Sequence, residues 1–178
     1  MAKNKPSISI IVPCYNEEGN LRGTIEAING ALASSNRFSA HEILIYNDRS
    51  TDATGALADS IAKADRSVEV IHNAKNMGFG FNYTDGVKRA TKDYIMMVPG
   101  DNEIPARAIE TVLAKAGEAD VIIPYTANPE VRPFSRRVIS RAFVALINTM
   151  FGLNLIYYNG TCLVKSRLLK KVPLKTWG

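Results

Sequence analysis

The stretch Tyr94-Ile95-Met96-Met97-Val98-Pro99-Gly100-Asp101-Asn102-Glu103 is the part of the sequence that indicates the fold most directly. Its first five residues are apolar, as in a buried strand, and Pro-Gly ends the run just before two carboxylates. Open α/β sheets bind ligands at the carboxyl ends of their strands, where hard oxygen ligands suit Mg²⁺ or Mn²⁺ beside a diphosphate. The alternative is an ordinary polar turn, because Asp, Asn and Gly are common turn residues.

Apolar runs and amphipathic segments alternate on both sides of this stretch. Strands are predicted at residues 7–12, 42–46, 68–72, 94–98 and 121–123. Helices are predicted at residues 17–33, 51–64 and 81–90, and from Pro105 onwards. Strands that alternate with helices through short connections predict an α/β fold with a mostly parallel sheet built from right-handed βαβ units.

The alternation ends after residue 124, and a further helix is predicted at residues 134–150. Its polar side carries Arg136, Arg137, Ser140 and Arg141. A basic amphipathic helix of this kind suits a membrane interface. A helix that packs on the core and exposes its arginines has the same pattern, so both interpretations stay open.

Composition and charge restrict the class of protein and the kind of partner. With 178 residues, 46% hydrophobic and 22% charged, the chain fits one globular domain. Two cysteines without metal spacing and a short apolar run near the N-terminus predict a cytosolic protein. Residues 131–178 contain nine Lys or Arg and no acid, whereas residues 1–130 contain 13 basic and 17 acidic residues. This asymmetry predicts an anionic partner for the C-terminal part.

Three polar loops follow predicted strands, at residues 13–18, 47–52 and 99–103. Their aromatic and acidic residues suit a sugar nucleotide, because an aromatic ring can stack on a base and carboxylates can accept its N–H groups. No Gly-rich phosphate loop follows any strand, which argues against hydride transfer and P-loop hydrolysis.

Three motifs resemble those of the family 2 glycosyltransferases with the GT-A fold. They are Ser-Ile-Ile-Val-Pro-Cys-Tyr-Asn-Glu-Glu at 9–18, Asn-Asp-Arg-Ser-Thr-Asp-Ala-Thr at 47–54, and Asn-x-Gly at 76–78. Arg-Arg-Val-Ile-Ser-Arg at 136–141 is most similar to the dolichyl-phosphate mannose synthase branch, whose acceptor is a polyprenyl phosphate. The resemblance implies one GT-A domain over residues 1–178. Residues 1–124 would bind the nucleotide sugar, and residues 125–178 would face the acceptor at the cytoplasmic face of the membrane.

The resemblance also implies roles for individual residues. Asp101 would be a catalytic residue and, with Glu103, would bind Mg²⁺ or Mn²⁺. Arg136 and Ser140 would hold the acceptor phosphate. The residues implied to bind the nucleotide are Pro13, Tyr15, Glu17, Tyr46, Asp48, Lys75, Pro99 and Gly100.

The chain departs from the family pattern at several positions. Pro99 and Asn47 each stand where the family has an Asp. Residues 158–163 lack the acid of the usual Asp-Pro-Thr-Ser-Gly-Phe segment, and the chain stops where relatives continue, which is typical of a truncated domain.

The missing acids favour a phosphate acceptor over a sugar hydroxyl. A hydroxyl nucleophile usually needs a carboxylate base, and residues 131–178 offer none. A phosphomonoester is already largely ionised at neutral pH, with a second pKa of about 6. Transfer to a hydroxyl in polysaccharide or glycolipid synthesis, and a sugar-nucleotide-binding module without catalysis, stay as alternatives. Nucleic-acid binding is disfavoured, because the basic residues lack interleaved aromatics.

Overall fold

The structure is a computed structural model, and it describes residues 5–125, 134–156 and 161–174. The contacts within the chain define two compact units. The first comprises Met1–Ile122 and Leu163–Gly178, and the second comprises Ile123–Cys162.

The elements follow the predicted alternation up to residue 122. The strands are β1 (Ser7–Cys14), β2 (Ala40–Asn47), β3 (Val68–His72), β4 (Tyr94–Met97), β5 (Val121–Ile122) and β6 (Leu163–Lys165). The helices are α1 (Leu21–Ser35), α2 (Thr54–Ala64), α3 (Phe79–Arg89), α4 (Ala106–Leu113), α5 (Phe134–Phe151) and α6 (Ser166–Leu169). The predicted start of α1 at residue 17 is too early: Glu17 O accepts from Asn20 N at 3.0 Å, as in a turn, and the helix begins at Leu21.

The strands form one sheet in the order β3-β2-β1-β4-β6-β5. β1 pairs in parallel with β2 and β4, and β2 pairs in parallel with β3. The mostly parallel sheet flanked by helices is therefore confirmed. The sequence did not predict β6, which pairs antiparallel with both β4 and β5. Three residues are too few to show a period-2 pattern, so only pairing with the neighbouring strands defines this element.

Alternate residues of the strands supply two apolar layers, one on each face of the sheet. Ile10 and Ile43 belong to the layer that also contains core residues of α1, α2 and α4. Ile11 and Tyr46 belong to the layer that contains Val87 of α3. Because successive side chains of a strand point to opposite faces, a shift of one residue changes the layer to which a side chain belongs.

Helix α3 lies unusually close to β1, and a glycine allows this. A Cβ atom at Gly86 would lie 2.8 Å from side-chain atoms of Ile11, so only glycine fits there without a shift. The first turn of α3, which contains Phe79 and Asn82, lies toward the carboxyl end of β1.

In the second unit, α5 ends at Phe151, and the next residue, Gly152, has a φ of 62°, in the left-handed region that favours glycine. Beyond the helix, the Asn148 side chain accepts from Leu155 N and donates to Leu155 O. Several apolar side chains of α5 are exposed: Val138, Ile139, Phe143, Leu146, Met150 and Phe151. None of the helices in the described ranges is both long enough and apolar enough to cross a bilayer.

Candidate functional site

A pocket of about 250 Å³ lies in the first unit, at the carboxyl ends of β1, β2 and β4. All three loops predicted from the sequence contribute to its wall. The lining residues are Pro13, Cys14, Tyr15, Glu17, Asp48, Phe79, Asn82, Pro99, Gly100 and Asp101. The structure thus brings together residues separated by almost 90 positions in the sequence.

The end of β1 holds the other two loops in place. Cys14 O accepts from Asp48 N at 2.9 Å, and Pro13 O accepts from Gly100 N at 3.0 Å. A Cβ atom at Gly100 would collide with Cys14 Sγ and would lie 3.3 Å from Pro13 O. Glycine is therefore required at position 100 for the third loop to approach the first.

Asp48 is a buried carboxylate that fixes the loop before α3. Its Oδ1 accepts from Met77 N at 2.8 Å and from Asn73 Nδ2 at 2.7 Å, and its Oδ2 accepts from Gly78 N at 2.9 Å. Gly78 has a φ of 82°, a conformation that favours glycine. The structure thus gives Asp48 a role in positioning the loop. Its implied contact with a base stays a prediction.

Asn47, at the position where the family resemblance implies an Asp, has its partners outside the pocket. Its Oδ1 accepts from Ser50 N at 3.1 Å, and its Nδ2 lies 2.9 Å from Nδ1 of His72. The other ring nitrogen of His72 lies 3.0 Å from Asp59 Oδ1. Because a neutral imidazole has one acceptor nitrogen and one donor nitrogen, these contacts match a His72 that accepts from Asn47 and donates to Asp59. The substitution at position 47 therefore suits its surroundings.

The pocket wall is acidic. Glu17, Asp48 and Asp101 contribute carboxylates, and no Lys or Arg of the described residues lines the wall. Burial, together with the charges of Glu17 and Asp101, raises the pKa of the Cys14 thiol to about 12. A negatively charged ligand would be repelled by such a wall unless a cation accompanied it.

The donor set fits a hard divalent cation that is shared with a ligand. Asp101 is partly exposed in the wall, and one of its oxygens accepts from Glu103 N at 3.1 Å. Within residues 5–125, 134–156 and 161–174, no three His, Cys, Asp or Glu side chains form a cluster that could hold a metal. Mg²⁺ commonly takes one or two carboxylates and completes its shell with substrate phosphates and water. Asp101 is the lining residue that suits this arrangement.

Comparison with known proteins decides the family. Residues 9–172 match the family described as "Glycosyl transferase family 2". The chain belongs to glycosyl transferase family 2. This confirms the resemblance noted in the sequence.

Relatives of this family 2 chain include two enzymes named for polyprenyl phosphates. The chain is 30% identical over 152 residues to an undecaprenyl-phosphate mannosyltransferase from Micrococcus luteus, covering 82% of this chain and 60% of that protein. It is 29% identical over 142 residues to a dolichol-phosphate mannosyltransferase from Pyrococcus furiosus, and this match covers 77% of this chain and 39% of that protein. The chain is also 32% identical to a putative glycosyltransferase, EpsH, from Bacillus subtilis. That match covers 66% of this chain and 33% of the relative's length.

Solved structures show that this family 2 chain has the GT-A fold. Glucosyl-3-phosphoglycerate synthase from Mycobacterium tuberculosis, in complex with Mn²⁺, UDP and glucosyl-3-phosphoglycerate, superposes with a TM-score of 0.68 at 18% identity. The match covers 94% of this chain and 60% of that one. The mannosyltransferase PcManGT from Pyrobaculum calidifontis, in complex with GDP-Man and Mn²⁺, superposes with a TM-score of 0.63 at 14% identity. That match covers 96% of this chain and 47% of the other chain.

Some residues assigned to the site from the sequence lie elsewhere in this family 2 domain. Tyr46 is fully buried in the layer beside α3, and its hydroxyl donates to Asp85 Oδ2 at 2.8 Å. The assignment of Tyr46 to the nucleotide pocket was wrong, because the alternation along β2 directs this side chain into the core. Lys75 and Glu103 are exposed and are not among the lining residues.

The two residues assigned to the acceptor phosphate belong to α5 in the second unit. Ser140 is partly buried, and the side chain of Arg136 lies outside the described residues. Their role as phosphate ligands stays a prediction.

Sequence reasoning missed two lining residues of the family 2 domain, Phe79 and Asn82. They are three positions apart in the first turn of α3, so they share one face of the helix. The predicted helix begins at residue 81, so the prediction places Phe79 in the preceding loop. A helix predicted to begin directly after Gly78 would have placed Phe79 and Asn82 together on one face of its first turn.

Proposed function

We propose that this domain transfers a sugar, with inversion, from a nucleoside diphosphate sugar to a polyprenyl phosphate, with the help of Mg²⁺ or Mn²⁺. The observation that carries the proposal is the acidic pocket at the ends of β1, β2 and β4 in a chain of glycosyl transferase family 2. Ligands of α/β sheets bind at this edge.

Three residues of the pocket have different roles in binding the donor. Tyr15 is 49% exposed at the pocket, where its ring can stack on a base or ribose. Asp48 holds the neighbouring loop through Met77 and Gly78. Asp101 offers a carboxylate to the cation. A bound divalent cation would neutralise the diphosphate and stabilise it as a leaving group.

The charge distribution supports a phosphate acceptor. Residues 131–178 contain nine basic residues and no acidic residue, so this part suits an anionic nucleophile that needs no protein base. In the family resemblance Arg136 and Ser140 hold that phosphate, and a guanidinium is well shaped for a phosphate. The names of the Micrococcus luteus and Pyrococcus furiosus relatives include undecaprenyl phosphate and dolichol phosphate, which agrees with this choice.

The surface of α5 supports a membrane location for the acceptor. Ile139 and Met150 are 67% and 65% exposed, and Arg137 and Arg141 belong to the same helix. An amphipathic helix with basic and apolar residues can lie in the headgroup region of an anionic membrane. We therefore place the proposed reaction at the cytoplasmic face of a membrane.

Calorimetric titration tests donor binding. UDP-, GDP-, CDP- and ADP-sugars are titrated into the protein with and without Mn²⁺. We expect at least one donor to bind, and to bind more tightly with Mn²⁺. No binding of any donor under either condition would refute the proposed function.

A transfer assay tests the acceptor. A radiolabelled donor is incubated with a short polyprenyl phosphate or with the matching free polyprenol. We expect product only from the phosphate. The Arg136→Ala variant should retain donor affinity and lose most transfer, whereas Arg107→Ala, an exposed arginine on α4, should retain both. Product from hydroxyl acceptors alone would favour polysaccharide or glycolipid synthesis.

Pro99 gives a specific reason to consider a module that binds the sugar nucleotide without transferring the sugar. It lines the pocket where the family pattern has a carboxylate. Donor binding together with no turnover on any acceptor would support this second function.

A further inference from the structure

Asn82 is a buried polar side chain in the wall of the pocket. It is 1% exposed and belongs to the first turn of α3. Its Oδ1 accepts a hydrogen bond from Asn73 Nδ2 at 2.6 Å. The hydrogen bond that the structure describes for this side-chain amide is therefore accepted by its oxygen, Oδ1.

The orientation of this amide follows from the neighbouring carboxylate. Asn73 Nδ2 also donates to Asp48 Oδ1 at 2.7 Å. A carboxylate only accepts hydrogen bonds, so Asn73 must direct its NH₂ group toward Asp48. The same NH₂ group supplies the bond to Asn82, which must therefore present its oxygen. The orientations of both asparagine amides therefore follow from this chain of donors and acceptors.

The NH₂ group of Asn82 consequently points away from Asn73. Among the residues that the structure describes, Asn82 Nδ2 makes no hydrogen bond. No fully buried side-chain nitrogen or oxygen in the same ranges lacks a partner. Nδ2 must therefore be the atom through which Asn82 reaches the open space of the pocket. A ligand oxygen placed there would recover a hydrogen bond that the folded chain leaves unmade.

Asp48 and Asn82 place an acceptor and a donor in one wall. Both Asp48 Oδ1 and Asn82 Oδ1 lie within 2.7 Å of the same nitrogen, so the two side chains are close neighbours. Uracil and guanine carry a carbonyl oxygen beside a ring N–H. Cytosine and adenine carry an amino group in place of that carbonyl and an unprotonated nitrogen in place of the N–H. A protein donor placed at the position of that carbonyl oxygen satisfies uracil and guanine, whereas in cytosine and adenine it faces an amino group, which is also a donor.

We propose that Asn82 determines base specificity, by donating from Nδ2 to the carbonyl oxygen that distinguishes uracil from cytosine and guanine from adenine. This inference rests on the proposed function, since it requires a nucleotide in the pocket. It adds a residue that the family motifs do not include, and it assigns that residue to a keto base.

The test compares nucleotide affinities by calorimetry with UDP, CDP, GDP and ADP in the presence of Mg²⁺. The proteins are the wild type, Asn82→Asp, Asn82→Ala, and Asn29→Asp on α1 as a control outside the wall. Asn82→Asp keeps nearly the same shape but presents an acceptor where the wild type has a donor. Thermal unfolding of each variant shows that it is folded at the titration temperature.

We expect the wild type to prefer UDP over CDP, or GDP over ADP, by about tenfold or more. Asn82→Asp and Asn82→Ala should each reduce that ratio by about fivefold or more, and Asn29→Asp should leave it unchanged. If Asn82→Ala is unfolded, the nearly isosteric Asn82→Asp still decides the matter.

Three results would overturn the inference while leaving the proposed function intact. They are a wild type that binds nucleotides without discriminating between keto and amino bases, an unchanged ratio in the folded variants, and an equal loss of affinity for all four nucleotides. The last would place the contact on the ribose or phosphates. A wild type that binds none of the four nucleotides or their sugars would instead refute the proposed function.

Discussion

The carboxylate of Asp48 accepts a hydrogen bond from the backbone N–H of Gly78 at 2.9 Å, across thirty positions of sequence. The other oxygen of the same carboxylate accepts from Met77 N. Together these bonds join the end of β2 to the N-terminal end of α3. The loop that precedes α3 is thereby fixed beside the pocket.

Asp48→Asn should loosen this loop, because the NH₂ group of an asparagine cannot accept from a backbone N–H. We expect faster hydrogen exchange at Met77 and Gly78 and a loss of about 1.5–3 kcal/mol in the free energy of local opening. Nucleotide affinity should also fall. Asp59→Asn, at an exposed carboxylate on α2, is the matched control and should leave exchange at Gly78 as it is. Unchanged protection in Asp48→Asn would show that the loop is held by other contacts.

Asp101→Ala should remove most of the metal-dependent part of donor binding. Asp101 lines the pocket, whereas Glu103 is exposed and outside the wall. With Mn²⁺ present we expect Asp101→Ala to weaken donor binding by about tenfold or more, and Glu103→Ala to weaken it less. Without metal, both variants should resemble the wild type in calorimetry. An equal loss with and without Mn²⁺ would contradict a metal-binding role for Asp101.

Tyr46→Phe should affect stability rather than binding. The buried hydroxyl of Tyr46 donates to Asp85, and burial together with that carboxylate raises the pKa of the tyrosine. Removing the hydroxyl should lower the free energy of unfolding by about 1 kcal/mol in urea denaturation. Tyr15→Ala should show the opposite pattern, with unchanged stability and weaker nucleotide binding. If Tyr46→Phe is as stable as the wild type but binds nucleotide more weakly, Tyr46 does contribute to the binding site.

The Cys14 thiol should resist alkylation in the folded protein. Burial and the nearby carboxylates raise its pKa to about 12, so only about one thiol in ten thousand is ionised at pH 8. Cys162 is only half-buried, and burial raises its pKa as well. Iodoacetamide followed by peptide mass spectrometry should find label on Cys162 first, and labelling of Cys14 should increase as the pH rises.

Two controls make the alkylation result interpretable. Cys14→Ser should leave the rate at Cys162 unchanged, and denaturation should make both thiols react at similar rates. Equal labelling of the two cysteines in the folded protein at pH 8 would show that the thiol of Cys14 is accessible and that the pocket floor is more open than the structure indicates.

The sequence alone determined the alternation of strands and helices and the edge of the sheet where the pocket lies. These properties are local: an apolar run that ends in Pro13 or in Pro99-Gly100 marks a strand end wherever the strand is placed. Parallel strands bring such ends to one edge, so the sequence itself predicts that Tyr15, Asp48 and Asp101 lie close together, as they do in the pocket wall. The short motifs around them also indicated the family.

Only the tertiary structure decided which side chains at that edge face the pocket. Tyr46 is two residues from Asp48 but belongs to the core, because the alternation of β2 and the position of Asp85 direct it there. The donor group of Asn82 is set by Asn73 and Asp48, and the strand β6 exists through its pairing with β4 and β5. Such features depend on partners brought together by folding across 9 to more than 40 positions, and no local pattern of residue types records them.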